Sequence, residues 1–495
     1  MIKYKGKILT PEQEDHINKI VNSNSDFAIQ APPGSGKTFL LLALARKMSG
    51  YGLSISFNKL LAIEASQKFC RSVTCKTGHA LAYGSLGYKY KKKLRKLTGK
   101  HLAETENIGD WQLYNSPANK GYLILTAIRK YCYSSDRFIS KKHLPKLPIL
   151  DETNIEVIQE DLIDYSTKIF DKMIDINNNL PITHDVYLKI WALTNPIIKK
   201  DYIFFDEYQD SNPVISQVIK SQDCQKIFVG DKFQQIYSWR GAINSLQNED
   251  LNTLNITKSF RFGEAIADMV NKIIINYYPY NFKYTPFHGN KEINSTVSYV
   301  SKVPKCIICR TNKGVIAETI KMLNNRHNIY ILGGTQALTY LINSIHQIKT
   351  HGSSKHPELF LFNSYIELKE YANSPMGGDL KTVLKLIDGY SREKLLAILS
   401  ATTKNASSAD ITITTAHKAK GLEWSTVRLA DDFKYPAKNN LPSTEETNIL
   451  YVAASRALHY LDLSDCKACN PGMLRNAAKL NKENYLIDET INKKA

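Results

Sequence analysis

The stretch FAIQAPPGSGKTFLLLALARKM, residues 27–48, decides how the rest of the chain is read. The apolar run FAIQ has the character of a strand, a glycine-bearing turn runs from Ala31 to Thr38, and a helical pattern starts at once after it. Strand, turn and helix N-terminus in that order make a concavity of backbone N–H groups suited to phosphate. In such a loop Gly34, Ser35 and Gly36 line the phosphates, Lys37 reaches the β- and γ-phosphates, and Thr38 ligates Mg2+. The first position is Ala31, where the strict pattern has glycine. A phosphate loop also needs a carboxylate on a nearby strand. YIFFDE (202–207) supplies two: Asp206 is expected to hold Mg2+ through water, and Glu207 to orient and deprotonate the attacking water.

Other short apolar runs have the same character: LSISFN (53–58), KIFVGD (226–231), and later KCIICR (305–310), DITITT (410–415), TVRLAD (426–431) and HYLDL (459–463). Several are tipped with acids at their C-terminal ends, as in a parallel sheet covered by helices on both faces, with ligands at those ends. Two groups of such strands imply two α/β lobes. The segment 84–196, holding YKYKKKLRKLTGK (88–100) and Trp111, reads as an inserted helical subdomain. A smaller insertion is expected over 335–408, and a tail over 471–495.

Composition narrows the partners. Lys plus Arg outnumber Asp plus Glu by 65 to 47, a net charge of +18 that favours a polyanion such as nucleic acid. The longest apolar run, FLLLALA (39–45), is too short to span a bilayer, and MIKYKGKILT has no signal-type apolar region. No membrane partner is expected, and the protein is expected to be intracellular: cytoplasmic in a bacterium or phage, nuclear in a eukaryote. Eight cysteines in 495 residues do not make a disulfide scaffold. Two CxxC pairs, Cys306/Cys309 and Cys466/Cys469, could supply four thiolates, but the first lies in a strand-like run where residues three apart face oppositely, so buried or free thiols are expected.

Six segments then occur in a telling order: the phosphate loop, DEYQDSNP (206–213), GDKFQQIYSWRGA (230–242), SFRF (259–262), TAHKAKGLEW (415–424) and EETNILYVAASRA (445–457). Together they resemble the UvrD/Rep-type superfamily 1A DNA helicases, over about residues 9–463. SFNKLLAIEA (56–65), HKAKGLEWSTVRLADDF (417–433) and YVAASRA look most like the F-box DNA helicase branch. The F-box would lie upstream of a first motif that begins within ten residues of Met1, and is expected to be missing.

The resemblance implies an α/β fold of two RecA-like P-loop lobes with parallel sheets, each carrying an inserted mainly helical subdomain. The first lobe would span 1–83 and 197–262, the second 263–334 and 409–470. It implies ATP and Mg2+ as cofactors, with Gln13 reading adenine, Phe260 stacking on it where the family usually has Tyr, and Glu423 contacting the ribose. Gln234 resembles the γ-phosphate sensor, and Arg261 and Arg456 resemble the two arginines that grip the γ-phosphate from the second lobe.

For DNA, the resembling positions are Asn58, Lys59, Thr77, His79, Arg310, Thr311, Asn312, His417 and Lys420, with Trp239 and Arg240 as a stacking surface and its neighbouring cation. The sequence departs from the family at Thr77-Gly78-His79, which lacks an aromatic, and at Phe57, one place off its usual position. The implied activity is an ATP-driven 3′→5′ DNA helicase acting on single strands and single/double-strand junctions, with DNA repair or recombination as its setting. The alternative is a non-unwinding, nucleotide-gated translocase or switch that removes or recruits proteins on DNA. A monomer or weak oligomer is expected. The Lys89–Lys96 run reads as a guide for duplex DNA, a localisation signal or a solvated face.

Overall fold

The computed structural model describes residues 3–4, 7–95, 97–108, 117–145, 152–237, 251–354, 356, 359, 362, 364–373, 378–436 and 440–492. Its contacts divide the chain into two units, Met1–Ala31 with Gly36–Ile256 and Pro32–Ser35 with Thr257–Ala495.

The first unit opens with a short hairpin, β1 (Lys3–Tyr4) and β2 (Lys7–Ile8), before α1 (Pro11–Val21). Thr10 caps that helix, Pro11 takes its first turn, and Gln13 returns its side chain to the Thr10 N–H, a reciprocal capping box. Six strands follow: β3 (Phe27–Gln30), β4 (Gly52–Ile55), β5 (Val73–Lys76), β6 (Tyr202–Phe205), β7 (Gln225–Gly230) and β8 (Asn252–Asn255). They form one parallel sheet in the order β5-β4-β6-β7-β3-β8. Every residue of β4 and β6 is buried, as expected of strands covered on both faces. Helix α2 (Lys37–Ala45) follows β3 and buries Leu40, Leu41 and Leu44, each worth about 1.5–3 kcal/mol of burial. Helix α3 (Lys59–Lys68) joins β4 to β5 and buries only Ala62.

Between β5 and β6 the chain runs through α4 (Gly78–Ser85), α5 (Gly99–Thr105), α6 (Pro117–Tyr133), α7 (Glu152–Ile174) and α8 (His184–Leu193), and α9 (Pro213–Lys220) follows β6. Two lysines there are structural. Lys93 donates to the carbonyls of Met173 (2.8 Å) and Lys172 (3.4 Å) where α7 ends, a place that favours a cation, although burial lowers its pKa. Lys189 donates to Ser134 O (2.8 Å) and lies 4.2 Å from the centre of the Tyr131 ring; burial pulls it down to about 8. The basic run is therefore divided: Tyr90 and Lys93 are buried anchors, Lys89, Lys91, Lys92 and Arg95 are exposed, and Lys96 lies outside the described residues.

The second unit repeats the architecture. Strands β9 (Thr296–Ser298), β10 (Cys306–Cys309), β11 (Ile329–Ile331), β12 (Ile411–Thr415), β13 (Trp424–Leu429) and β14 (Ala457–Asp462) form a parallel sheet in the order β11-β12-β10-β13-β14-β9. Helices α10 (Glu264–Tyr277) and α11 (Asn312–Asn324) flank it; α12 (Gln336–His351), α13 (Tyr365–Asn373), α14 (Gly378–Gly389) and α15 (Arg392–Ser400) lie between β11 and β12 and share a core with α11 and β10. The chain ends through α16 (Ala416–Ala419), α17 (Thr444–Ala454) and α18 (Pro471–Asn492). Two parallel sheets clad in helices are two RecA-like lobes. All eight cysteines are free thiols; Cys306 and Cys309 face opposite ways in β10, and both are buried because both faces of the sheet are covered. Among the described residues no helix is long and apolar enough to cross a membrane.

Candidate nucleotide site and nucleic-acid interface

In the first unit the predicted phosphate and Mg2+ residues lie at the C-terminal ends of β3, β6 and β7, and Gln13 lies in α1. Gly36 begins α2 at φ 78°, and no side chain caps that helix. Only a left-handed residue lets the chain turn from β3 into α2 so tightly, which is what glycine permits. Lys37 Nζ lies 3.7 Å from Glu207 Oε1 and 3.5 Å from the carbonyl of Ala31. Thr38 is exposed in the first turn of α2. Glu207 is held at φ 52° and ψ 41°, a conformation that costs a non-glycine residue about 1–3 kcal/mol.

Beside it, burial and then the charge of Glu207 push the Asp206 carboxyl up to about 7, against a smaller lowering by Lys37. Two crowded acids served by one lysine suit a divalent cation, so the donor set of Thr38 and Asp206 fits Mg2+. Gln234, predicted as the γ-phosphate sensor, is buried and donates to Asp231 Oδ2 (2.7 Å). Gln13 is buried, with its Oε1 accepting from Thr10 N (3.1 Å).

The second unit collects the remaining predicted nucleotide residues from three separate motifs. The turn Pro32–Ser35 is tied to the SFRF segment: Ser259 Oγ donates to Pro33 O (2.7 Å) and Phe260 N to Gly34 O (2.8 Å). Gly34 sits at φ +71°, and a Cβ there would come 2.3 Å from Arg261 Cβ, so the position admits glycine alone. Arg261 Nε is paired with Glu423 at 2.9 Å and its Nη1 reaches Ser455 O at 3.4 Å. Arg456 is wholly buried, donating to Val452 O (2.8 Å), Ser455 Oγ (2.8 Å) and Leu422 O (3.4 Å). Phe260 is exposed, with the Lys258 ammonium 5.2 Å from its ring centre.

The predicted DNA residues share one structural habit. Asn58 caps α3, Thr77 caps α4 and Thr311 caps α11, each following a parallel strand. His417 lies in α16, capped by Thr415 after β12, and Lys420 closes it. Lys59 and Asn312 are exposed at the first position of their helices. Helix N-termini with polar caps offer N–H groups to phosphate without reading sequence. Among them, His79 Nε2 lies 3.0 Å from Asp185, Arg310 makes two bonds to Glu446 (2.7 and 2.8 Å), and the Thr311 hydroxyl donates to Asp432 (2.8 Å). Trp239, Arg240 and Trp111 lie outside the described residues.

Sequence reasoning missed an aromatic pair: Phe57 and Tyr237 stack at 6.2 Å with their planes 9° apart, beside the cap Asn58. Phe57 was visible only as a displaced aromatic, and its partner lies 180 residues away in sequence. It also missed Gln209, Asp432 and Glu446, the residues that hold the predicted ones in place. All three lie inside the quoted motifs, so their positions were in view while their bonding was not.

The two helix-clad parallel sheets, with a glycine turn and an acid pair at the strand ends, define a two-lobed P-loop fold. Family comparison places it more closely. The UvrD/REP helicase N-terminal domain matches residues 9–254 and the UvrD-like helicase C-terminal domain residues 336–468, and the chain belongs to the UvrD-like helicase family. Similar proteins include F-box DNA helicase 1 of Gallus gallus, 31% identical over 92% of this chain and 49% of that protein. F-box DNA helicase protein 1 of Schizosaccharomyces pombe is 28% identical over 97% of this chain and 60% of that protein. ATP-dependent DNA helicase Rep of Buchnera aphidicola (subspecies Baizongia pistaciae) is 30% identical over 38% of this chain and 28% of that protein. The chain thus spans about half the length of the first of these relatives and 60% of the second. A solved arterivirus helicase–DNA complex overlaps 93% of this chain and 65% of that chain at 11% identity, but at a TM-score of 0.34 it adds nothing to the fold.

Proposed function

We propose that the chain is an ATP-hydrolysing motor that moves 3′→5′ along single-stranded DNA and unwinds duplex at single/double-strand junctions. The observation that carries the reading is the uncapped N-terminus of α2, with Lys37, Asp206 and Glu207 gathered at it, in a chain of the UvrD-like helicase family.

The phosphates of ATP rest on the N–H groups that open α2, and the Lys37 ammonium neutralises them. Thr38 and Asp206 would hold Mg2+, which would supply positive charge to offset the negative charge of the phosphates. Glu207 takes the proton of the attacking water, and its fixed backbone aims the carboxylate before substrate arrives. Gln234 reports the γ-phosphate, Gln13 and Phe260 hold adenine, Glu423 meets the ribose, and Arg261 and Arg456 stabilise the charge that develops in transfer. Arg261 leaves Glu423, and Arg456 leaves its carbonyls, to do so.

On DNA, the capped N-termini of α3, α4 and α16 carry the backbone, with Lys59, His79, Arg310, Asn312, His417 and Lys420 as polar and cationic contacts. The Phe57–Tyr237 stack and Trp239–Arg240 take bases, since every base has a face to stack on.

Lys37→Ala and Glu207→Gln are expected to cut single-strand-stimulated ATP hydrolysis to a small, still measurable residual rate. Undiminished hydrolysis in both would overturn the reading. Strand displacement from a 3′-tailed but not a 5′-tailed duplex tests direction and unwinding together. Stimulated hydrolysis with no displaced strand would instead favour the nucleotide-gated switch.

A further inference from the structure

Glu207 does not stand alone at the end of β6. Its Oε2 accepts a bond of 2.5 Å from the Gln209 side-chain amide. The same Gln209 side chain accepts, through its Oε1, from the backbone N–H of Asp231 at 3.0 Å. Asp231, wholly buried after β7, receives Gln234 Nε2 on Oδ2 (2.7 Å), and Gln30 Nε2 (2.9 Å) and the Phe233 N–H (3.1 Å) on Oδ1. Two carboxylates and three amides thus join the ends of β3, β6 and β7. Gln209 is wholly buried and is the link between the general base and the segment that runs on to Gln234 and Tyr237.

The chemistry of the link explains the residue type. A primary amide of this length both donates to a carboxylate and accepts from an N–H without adding charge. Glutamate would accept from Asp231 but face Glu207 with a second negative charge. Methionine matches the volume and makes neither bond. A buried, charge-assisted bond fixes one rotamer of Glu207, and a shift at the end of β7 would move that bond with it.

From this geometry we propose that Gln209 is a positioning residue that aims the Glu207 carboxylate and ties its aim to the end of β7, so that contacts made by Gln234 and Tyr237 set the rate of water activation. The inference rests on the reading of Glu207 as the base and deepens it.

The test is steady-state ATP hydrolysis by the full chain, with and without oligo(dT), for Gln209→Met, Gln209→Glu, Glu207→Gln and the double variant Glu207→Gln/Gln209→Met. Gln209→Met is expected to lower kcat about 10- to 100-fold, the worth of one bond to a charged group, with KM for ATP changed less than about twofold. Its fold-stimulation by oligo(dT) should fall toward one. In the Glu207→Gln background the same substitution should cost nothing further, because the group it aims is gone. Multiplicative losses in the double variant, an unchanged kcat, or intact stimulation by oligo(dT) would each overturn the proposal.

Gln209→Glu keeps the volume and the acceptor, so it decides the matter if the methionine variant melts early. A kcat near that of the unmodified chain in a folded Gln209→Glu would sink the aiming role. If Glu207→Gln alone left hydrolysis intact, the reading of the base would fail instead, a result separable from the others.

Discussion

Compare two helix N-termini, α2 after β3 and α11 after β10. Both lie at the C-terminal end of a parallel strand, where an anion is favoured. At α2 the cap is Gly36 and no side chain fills it. At α11 the place is taken from within. Thr311 caps the helix, and Asp432 accepts from Arg310 N, Thr311 N and Thr311 Oγ1, all at 2.8 Å.

The glycines serve opposite ends. Gly36 leaves the start of α2 without a side-chain cap and Gly34 makes room for Arg261, whereas Gly314 makes room for the chain's own carboxylate, since a Cβ there would lie 2.2 Å from Asp432 Oδ2. Two lobes of like architecture but different strand order therefore differ in whether the helix N-terminus is left open or filled by the fold. On the proposed reading, the open N-terminus of α2 takes phosphate and the filled one of α11 adds rigidity.

The comparison breaks most visibly at Gly34. Gly34→Ala adds a methyl where φ is +71° and Arg261 Cβ is already in the way, so ATP hydrolysis should fall at least about 100-fold. Activity within tenfold of the parent would mean that the turn is not the phosphate cradle. The counterpart is Asp432→Ala. It strands two backbone N–H groups and a hydroxyl, and should cost about 3 kcal/mol of stability, read as a lowered Tm. It should not create a second nucleotide site: equilibrium dialysis with ATP should still give one site per chain.

This contrast also marks what the sequence made legible. The glycine turn, the acid pair and eight of the strand segments could be read directly, because each is a local pattern with a local cause. Strands β5, β8, β9 and β11 could not; β5, β8 and β9 carry polar residues, β11 is only three residues long, and all four are edge strands, where periodicity fades. The filled cap at α11 was equally hidden. Arg310, Thr311 and Asp432 are each an ordinary residue in sequence, and only the adjacency of β10 and β13 brings Asp432 beneath the α11 turn. Arg456 shows the same limit: its motif was plain, but not that its guanidinium spends its bonds on the Val452 carbonyl of α17, the Ser455 hydroxyl and the Leu422 carbonyl.

The smallest effect lies at Glu446, which sharpens the comparison from the DNA side. Its carboxylate makes two bonds to Arg310 and lies 2.8 Å from the Lys434 ammonium. Burial pushes its pKa up, but the bonds to Arg310 and Lys434 outweigh that and leave it below the usual range. A carboxylate lowered in the fold contributes stability that is complete above its unfolded pKa, about 4.3, and is lost as pH falls through the lower folded value.

Glu446→Gln should therefore cost about 1–2 kcal/mol at pH 7, and its Tm deficit should shrink below about pH 4.5. A deficit constant across that range would show that packing, not charge, is what Glu446 supplies. The same substitution loosens Arg310 for a phosphate, so affinity for oligo(dT) should rise about two- to fivefold at low salt, and the gain should vanish in Glu446→Gln/Arg310→Ala. If the gain survives without Arg310, the arginine is a strut of the second lobe and the DNA path runs elsewhere.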